Sequence, residues 1–238
     1  MAAFLNSSMS QKRTDTAETK DSMLDVKTDT ALLIPNEEFT RIASDERIER
    51  AAQALEANKI HTSVAETGEE ARKLVLDLLP EGAEVYANIS KTLETLGLTA
   101  EIDGSGRYNA VRPKVLTLDR KTQADEIRAL RARPAIIVGS VHAVTEDGQV
   151  LTASFGGSQL GAYAYGAAKV IWVIGAQKIV KDLNEGFRRI QEYSYPLEDA
   201  RLRATLGVPT AIGKILITNL EAMPGRTTAI IVKEELGY

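Results

Sequence analysis

The sequence predicts an α/β domain built on a mixed, mainly parallel sheet with helices on both faces. Three observations predict this class: amphipathic helical segments alternate with short strand segments, several strand segments are apolar throughout, and one hairpin signal interrupts the alternation midway. The 238 residues contain no internal repeat and no second boundary between cores, which favours a single domain. We place that domain at residues 37–238.

Residues 1–36 are predicted to form a disordered arm. The segment is rich in Ser, Thr, Asp and Lys, and its few apolar residues follow neither a helical nor a strand period, so it cannot bury enough surface to offset chain entropy. Its acidic residues argue against a mitochondrial transit peptide, which would be rich in Arg and poor in acid. No other targeting signal is recognisable, and we expect a cytoplasmic protein.

The first part of the domain contains a helix and then a strand–helix–strand unit. Ile48, Ala51 and Leu55 repeat at helical spacing and predict an amphipathic helix that ends near residue 58. Strands are predicted at 60–65 and 83–89, and a capping box that begins at Thr67 starts the helix between them. Such a unit normally forms a parallel crossover.

The middle of the chain contains the hairpin signal. The dipeptide Asp147-Gly148 separates the apolar runs 141–145 and 149–154, which is the strongest short-range indication of a β-hairpin. The elements predicted before it are helices at 90–96 and 119–133 and a strand at 135–139.

The last third alternates between helices and β-branched strands. Leu160–Ala176 is almost entirely apolar or Gly, but Lys169 divides it, so we interpret it as a buried helix and a buried strand rather than a membrane span. The elements predicted here are helices at 160–168, from 182 and at 196–207, and strands at 170–175, 214–219 and 227–233.

The composition excludes several classes of function. The chain has no Cys, so it cannot form disulfides or ligate an iron–sulfur cluster by itself. Its two His residues argue against a His-rich zinc site; we predict no metal site, although one made wholly of carboxylates stays open. The net charge of −4 and the aromatic content of 5 % disfavour binding to nucleic acid.

Three polar segments are predicted to follow strands at the carboxyl edge of the sheet, where ligands collect in open α/β folds. The Gly/Ser loop among them suits a phosphate or a carboxylate, but its glycine spacing matches neither the P-loop nor the dinucleotide fingerprint. Each segment also has a structural interpretation, as a helix cap, an ordinary turn or a surface charge. The candidate ligand-binding residues in these segments are Ser90, Ser154, Gly157, Ser158, Gln159, Gln177 and Lys178.

Two isolated residues complete the set of candidates. His142 lies in an apolar run and is the candidate catalytic acid or base, against the alternative of a hydrogen-bonded structural histidine. Arg226 follows Pro224-Gly225 and is either a turn residue or a clamp for a carboxylate. Arg188 and Arg189 lie on a predicted helix, and we expect them on its solvated face.

Several motifs in a fixed order resemble the lactate-utilisation (LUD) domain family over roughly residues 40–237, and motifs in series are far more specific than any one alone. The segments that carry the resemblance are Gly139–Gly148, Gly157–Leu160, Ala162–Ala167, Val173–Val180, Leu183–Glu185, Arg188–Ile190, Pro196–Glu198, Pro224–Arg226 and Ile231–Gly237.

The resemblance implies a fold similar to the sugar-phosphate isomerase and CoA-transferase superfamily and a role in the oxidation of lactate to pyruvate beside iron–sulfur partner proteins. It implies that His142, the residues of the Gly/Ser loop, and Gln177 and Lys178 line a pocket. We therefore expect a domain that binds a small anion, either a carboxylate or a phosphorylated metabolite, with the cofactor unknown. The alternatives are a non-catalytic subunit that holds redox partners, marked by exposed aromatic residues, and an active isomerase or CoA-transferase-like enzyme.

Overall fold

The computed structural model describes residues 33–238; residues 1–32, which make up most of the predicted N-terminal arm, lie outside the described residues. The helices are α1 (Asp45–Ala57), α2 (Gly68–Asp77), α3 (Lys91–Thr95), α4 (Leu98–Gly104), α5 (Val111–Thr117), α6 (Ala124–Ala132), α7 (Leu183–Arg189) and α8 (Tyr195–Leu206). The strands are β1 (His61–Ala65), β2 (Glu84–Ala87), β3 (Asn109–Ala110), β4 (Ile136–Gly139), β5 (Ala143–Thr145), β6 (Val150–Ser154), β7 (Lys169–Gly175), β8 (Ile179–Val180), β9 (Lys214–Thr218) and β10 (Thr227–Val232).

The main sheet has six parallel strands in the order β1-β10-β7-β4-β2-β3. The side chains of its central strand β7 alternate between two cores: Trp172 packs with Ile48 of α1, whereas Val173 packs with Val75 of α2. Helices therefore cover both faces of the sheet, which confirms the predicted mixed α/β fold class.

A second, smaller sheet has the order β8-β5-β6-β9. The predicted hairpin forms its centre, since β5 pairs antiparallel with β6, and β8 adds a parallel strand beside β5. Because β8 begins only four residues after β7 ends, the chain passes directly from the main sheet into the small one. Three residues of this short connection, 176–178, form a 3-10 turn.

Some elements differ from the sequence prediction. Strands β1 and β2 are parallel, but β10, β7 and β4 lie between them. The helix expected at 160–168 is a single π-helical segment at 162–166, where Gly166 leaves no room for a side chain against the backbone of α6. The helix expected at 119–133 is confined to α6, because Asp119 accepts N–H bonds from residues 121 and 122 in a local turn.

Among residues 33–238, no helix is both long enough and apolar enough to cross a membrane. The apolar run Leu160–Ala176 supplies the π-helical segment and strand β7, as its interruption by Lys169 predicts.

Candidate functional site

Three neighbouring strands of the main sheet, β7, β4 and β2, end at the same edge, and polar side chains meet there. The Lys178 Nζ follows β7 and donates to the Thr92 Oγ1 of α3 at 3.1 Å and to the Ser140 Oγ after β4 at 3.1 Å. The Lys178 residue is only 1 % exposed. Because parallel strands place their carboxyl ends side by side, residues far apart in the chain converge on one amine.

Burial is the main influence on Lys178. It lowers the pKa of the ammonium well below its ordinary value, and the positive charge of Arg189 lowers it further. No carboxylate within residues 33–238 is paired with the Lys178 Nζ. The side-chain partners of the Lys178 amine are therefore two hydroxyl groups.

Arg189 is a second buried cation beside this amine, and the expectation that it lies on a solvated helix face is wrong. Its residue surface is 0 % exposed, because α7 packs that side against the small sheet, while the preceding Arg188 is exposed and pairs with Glu192. The Arg189 guanidinium donates to the carbonyl oxygens of Gln177 and His142. Burial lowers its pKa to about 10. Its Nη2 has no partner within the described residues.

Gln177 connects this cluster to residues 233–238, the segment that follows β10. Its Nε2 donates to the carbonyl oxygens of Leu236 at 3.1 Å and Gly237 at 3.0 Å, and its Oε1 is buried with no partner within the described residues. The Thr92 Oγ1 also donates to the Leu236 carbonyl at 3.0 Å. Gly237 has a φ of +61°, and its Cβ would collide with the backbone of Thr92, so only glycine allows this close approach.

His142 lies between the cluster and the small sheet. Its Nδ1 accepts the backbone N–H of Ala153 at 3.1 Å, which leaves the proton on Nε2. Burial, together with the charges of Lys178 and Arg189, lowers the pKa of His142 to about 3. The imidazole is therefore neutral near pH 7, and it has no carboxylate partner that would make it an acid–base pair.

The Gly/Ser loop at 154–159 is bonded mainly to itself. The Ser154 Oγ donates to the Gln159 Oε1 at 3.1 Å and accepts the Gly157 N–H at 2.9 Å. The exposed Ser158 also donates to the Gln159 Oε1, at 3.2 Å. No hydrogen bond joins this loop to Gln177 or Lys178; His142 and Ala153 stand between them.

The remaining two candidates have structural contacts. The Ser90 Oγ accepts the Leu93 N–H as the cap of α3 and stands two residues before Thr92. Arg226 directly precedes β10, so it lies at the amino edge of the main sheet, opposite to Lys178. Its guanidinium pairs with Glu221 at 2.7 Å and donates to three backbone carbonyls, which occupies all its nitrogens.

Sequence reasoning missed Thr92, Ser140 and Arg189. A signal for Ser140 was present, because it directly follows the predicted strand at 135–139 and so stands at the carboxyl edge. Thr92 ends the polar segment 88–92 that the sequence places at this edge, but only Ser90 was selected from it, whereas Arg189 lies inside a helix and carries no such signal. No three His, Asp or Glu residues within 33–238 are grouped so as to hold a metal ion.

The fold and the site define a parallel α/β protein with a polar cluster at the carboxyl edge of its sheet. The LUD domain family matches residues 48–232, and the chain belongs to that family. No curated protein matches the chain. This family is the one that the motifs indicated.

The solved structures support the same fold. A DUF162 family protein from Deinococcus radiodurans is 13 % identical, with a TM-score of 0.50 over 81 % of this chain and 99 % of that one. The eIF2B beta subunit from Chaetomium thermophilum is 14 % identical, with a TM-score of 0.28 over 58 % of this chain and 44 % of that one. At these identities the first likeness concerns the fold alone, and the second is too distant to carry an argument.

Proposed function

We propose that this LUD-domain protein binds a small carboxylate metabolite at the carboxyl edge of its main sheet, in organic-acid metabolism such as lactate utilisation. The observation that carries the proposal is the buried guanidinium of Arg189. No carboxylate within the described residues forms an ion pair with it, although Glu235 acts on its pKa. Buried charges in proteins are normally paired, and a bound anion would supply such a partner.

Two polar atoms of the cluster that have no partner within the described residues support a carboxylate. The Arg189 Nη2 is a donor, and a guanidinium binds a planar carboxylate well. The Gln177 Oε1 is an acceptor that a hydroxyl group of the ligand would satisfy. A 2-hydroxy acid carries both a carboxylate and a hydroxyl donor.

Isothermal titration with lactate measures the affinity of the site for a carboxylate. Phosphate and a sugar phosphate in the same titration distinguish a carboxylate site from a general anion site.

The matched variants are Arg189→Met and Arg188→Met, adjacent residues of which only the first is buried. We expect the Arg189 variant to lose at least about tenfold in affinity for lactate, which is 1.4 kcal/mol, and the Arg188 variant to bind like the parent protein. In a thermal-shift panel, a ligand at about one hundred times its Kd adds about 2.7 kcal/mol of stability. Absence of binding by every carboxylate would overturn the proposal.

We propose further, from the family resemblance, that the protein works in the cytoplasm with redox partners that carry iron–sulfur clusters. The exposed aromatic residue that could serve such a contact is Tyr165, which is 80 % exposed, whereas Tyr163 and Trp172 are buried. Co-purification of the parent protein and of Tyr165→Ala from the same lysate tests this contact. Isomerase or CoA-transferase chemistry finds less support, since no acid–base pair is formed at His142.

A further inference from the structure

We infer that Lys178 is a nucleophile that forms an imine with the carbonyl carbon of a 2-oxo acid held at this site. The inference rests on the proposed carboxylate binding and names the substrate class: carbonyl acids rather than hydroxy acids alone. An amine can attack a carbonyl only through a free lone pair, so the state and surroundings of the Lys178 nitrogen decide the matter.

The contacts of Lys178 differ from those of lysines that serve as charges. Lys233 lies between Asp45 at 3.0 Å and Glu66 at 2.9 Å, and these carboxylates raise its pKa. Lys73 is paired in the same way with Asp77 at 2.6 Å. Within the described residues Lys178 has two hydroxyl groups as partners and an arginine as its charged neighbour. Unlike Lys73 and Lys233, it has no carboxylate beside it to hold it as an ammonium ion.

The two hydroxyl groups suit proton transfer around the nitrogen. The Thr92 Oγ1 and the Ser140 Oγ each lie 3.1 Å from the Lys178 Nζ and 3.3 Å from one another, so the three groups form a closed triangle. A hydroxyl group both donates and accepts, so it can take a proton from nitrogen and return one to a neighbouring oxygen.

The reaction balances with the groups present. The nitrogen lone pair attacks the carbonyl carbon, a C–N bond forms, and the electrons of the C=O π bond move to oxygen. The two protons of the amine pass to that oxygen through the hydroxyl groups of Thr92 and Ser140. The C–O bond then breaks, water leaves, and a C=N bond remains. The amine and the carbonyl give the imine and water, with no oxidant or reductant.

The site is closed in the state described, since Lys178 is 1 % exposed. Segment 233–238 lies against it through hydrogen bonds from Gln177 and Thr92 to backbone carbonyls. Entry of a substrate requires this segment to move away from Lys178, which also withdraws the buried side chain of Leu236 from the core.

Reductive trapping tests the inference on the full chain. The protein is incubated with pyruvate and sodium cyanoborohydride, which reduces imines, and parallel samples receive lactate, which has no carbonyl group to react. We expect one reduced adduct per chain with pyruvate and none with lactate, and peptide mapping should place it on Lys178. Because burial lowers the pKa of Lys178, trapping at pH 6 should favour it over Lys73 and Lys233, whose pKa values are raised by their carboxylate partners.

The variants are Lys178→Met and Lys178→Arg, with Lys181→Arg as the matched control at an exposed lysine three residues away. Loss of the adduct in the first two and its retention in the third are expected. If both Lys178 variants fail to fold, the mapped position in the parent protein decides alone. An adduct spread over surface lysines, or none, overturns the inference; lactate binding in the same preparation would leave the proposed function intact, and absence of binding by any carboxylate would remove both.

Discussion

Two buried arginines at opposite edges of the main sheet have opposite surroundings. Arg226 at the amino edge is 6 % exposed; its guanidinium binds the Glu221 carboxylate and three backbone carbonyls, and the same carboxylate accepts the Thr227 hydroxyl. Arg189 at the carboxyl edge is equally buried, but within the described residues no carboxylate forms an ion pair with it and its Nη2 has no hydrogen-bond partner; Glu235 acts on its pKa without pairing with it. One guanidinium is bound by a carboxylate, and the other is not.

The difference separates a structural charge from one available to a ligand. A buried ion pair with every hydrogen bond satisfied fixes a turn and leaves nothing for another molecule to bind. A buried cation with an unpartnered donor lowers the stability of the folded protein, and a bound anion would remove that loss. The same residue type thus has only structural partners at one edge and an unpartnered donor at the other.

The largest effect is expected at the amino edge. Burial alone would raise the pKa of Glu221, but the Met223 N–H, the Thr227 hydroxyl and Arg226 together hold it below its usual value. Arg226→Met leaves this carboxylate buried without its cation and should lower the free energy of unfolding by about 3–5 kcal/mol, measured by urea denaturation. A double variant with Glu221→Leu should recover part of the loss. If Arg226→Met alone is as stable as the parent protein, the contrast between the two arginines is wrong.

A smaller effect of opposite sign is expected at the carboxyl edge. Lys178→Met should raise the free energy of unfolding at pH 7, because it removes a buried amine whose pKa is lowered in the folded state. The unfolded lysine has a pKa of about 10.4 and the folded one is lowered, so the unfolded state binds more protons between those two values. Stability of the parent protein should therefore rise with pH in that window.

The Met variant lacks this dependence, so its advantage should shrink as the pH approaches about 10. Urea denaturation of both proteins at pH 6, 8 and 10 measures the trend. A constant difference across these values would mean that Lys178 is an ammonium ion in the folded state.

His142 should not titrate in the physiological range. Its folded pKa of about 3 lies below the unfolded value of 6.5, so it contributes stability above the unfolded value and loses it as the pH falls toward the folded one. Nuclear magnetic resonance of the imidazole should show constant shifts from about pH 5 to pH 8, with the exposed His61 as the second histidine signal. A titration of His142 near pH 6.5 would show that burial, Lys178 and Arg189 do not lower the pKa of the imidazole.

The smallest effect is expected at Arg188, next in the chain to Arg189. Its guanidinium is solvent-exposed and pairs with Glu192, and exposed pairs contribute little. Arg188→Met should leave the unfolding midpoint and the affinity for lactate within measurement error. A loss equal to that of Arg189→Met would show that the two positions act through general positive charge and not through burial.

Much of the fold could be predicted because it depends on local signals. The capping residues Thr67 and Asp182 each accept an N–H from three residues later and begin α2 and α7 where the sequence indicates. The Asp147-Gly148 turn joins β5 to β6, and Gly207 ends α8 in a left-handed conformation. These signals act within one turn of the chain, so periodicity and turn chemistry are sufficient to find them.

The rest depends on pairing between distant segments. Nothing local indicates that β10 enters the sheet between β1 and β7, or that the hairpin starts a second sheet. The site shows the same limit. Lys178 was predicted because it follows a strand, whereas Thr92 and Arg189 reach the site through tertiary packing. Arg188 and Arg189 look alike in sequence, and the rotation of α7 alone decides which one is buried.

One guanidinium holds both sheets together at their junction. Arg189 donates to the carbonyl of Gln177, at the exit of the large sheet, and to that of His142, at the entry of the small one. A molecule bound to this side chain should slow amide hydrogen exchange in both sheets. Both sheets would then become more rigid, and amide exchange in the turn between β5 and β6 would report whether the site is occupied.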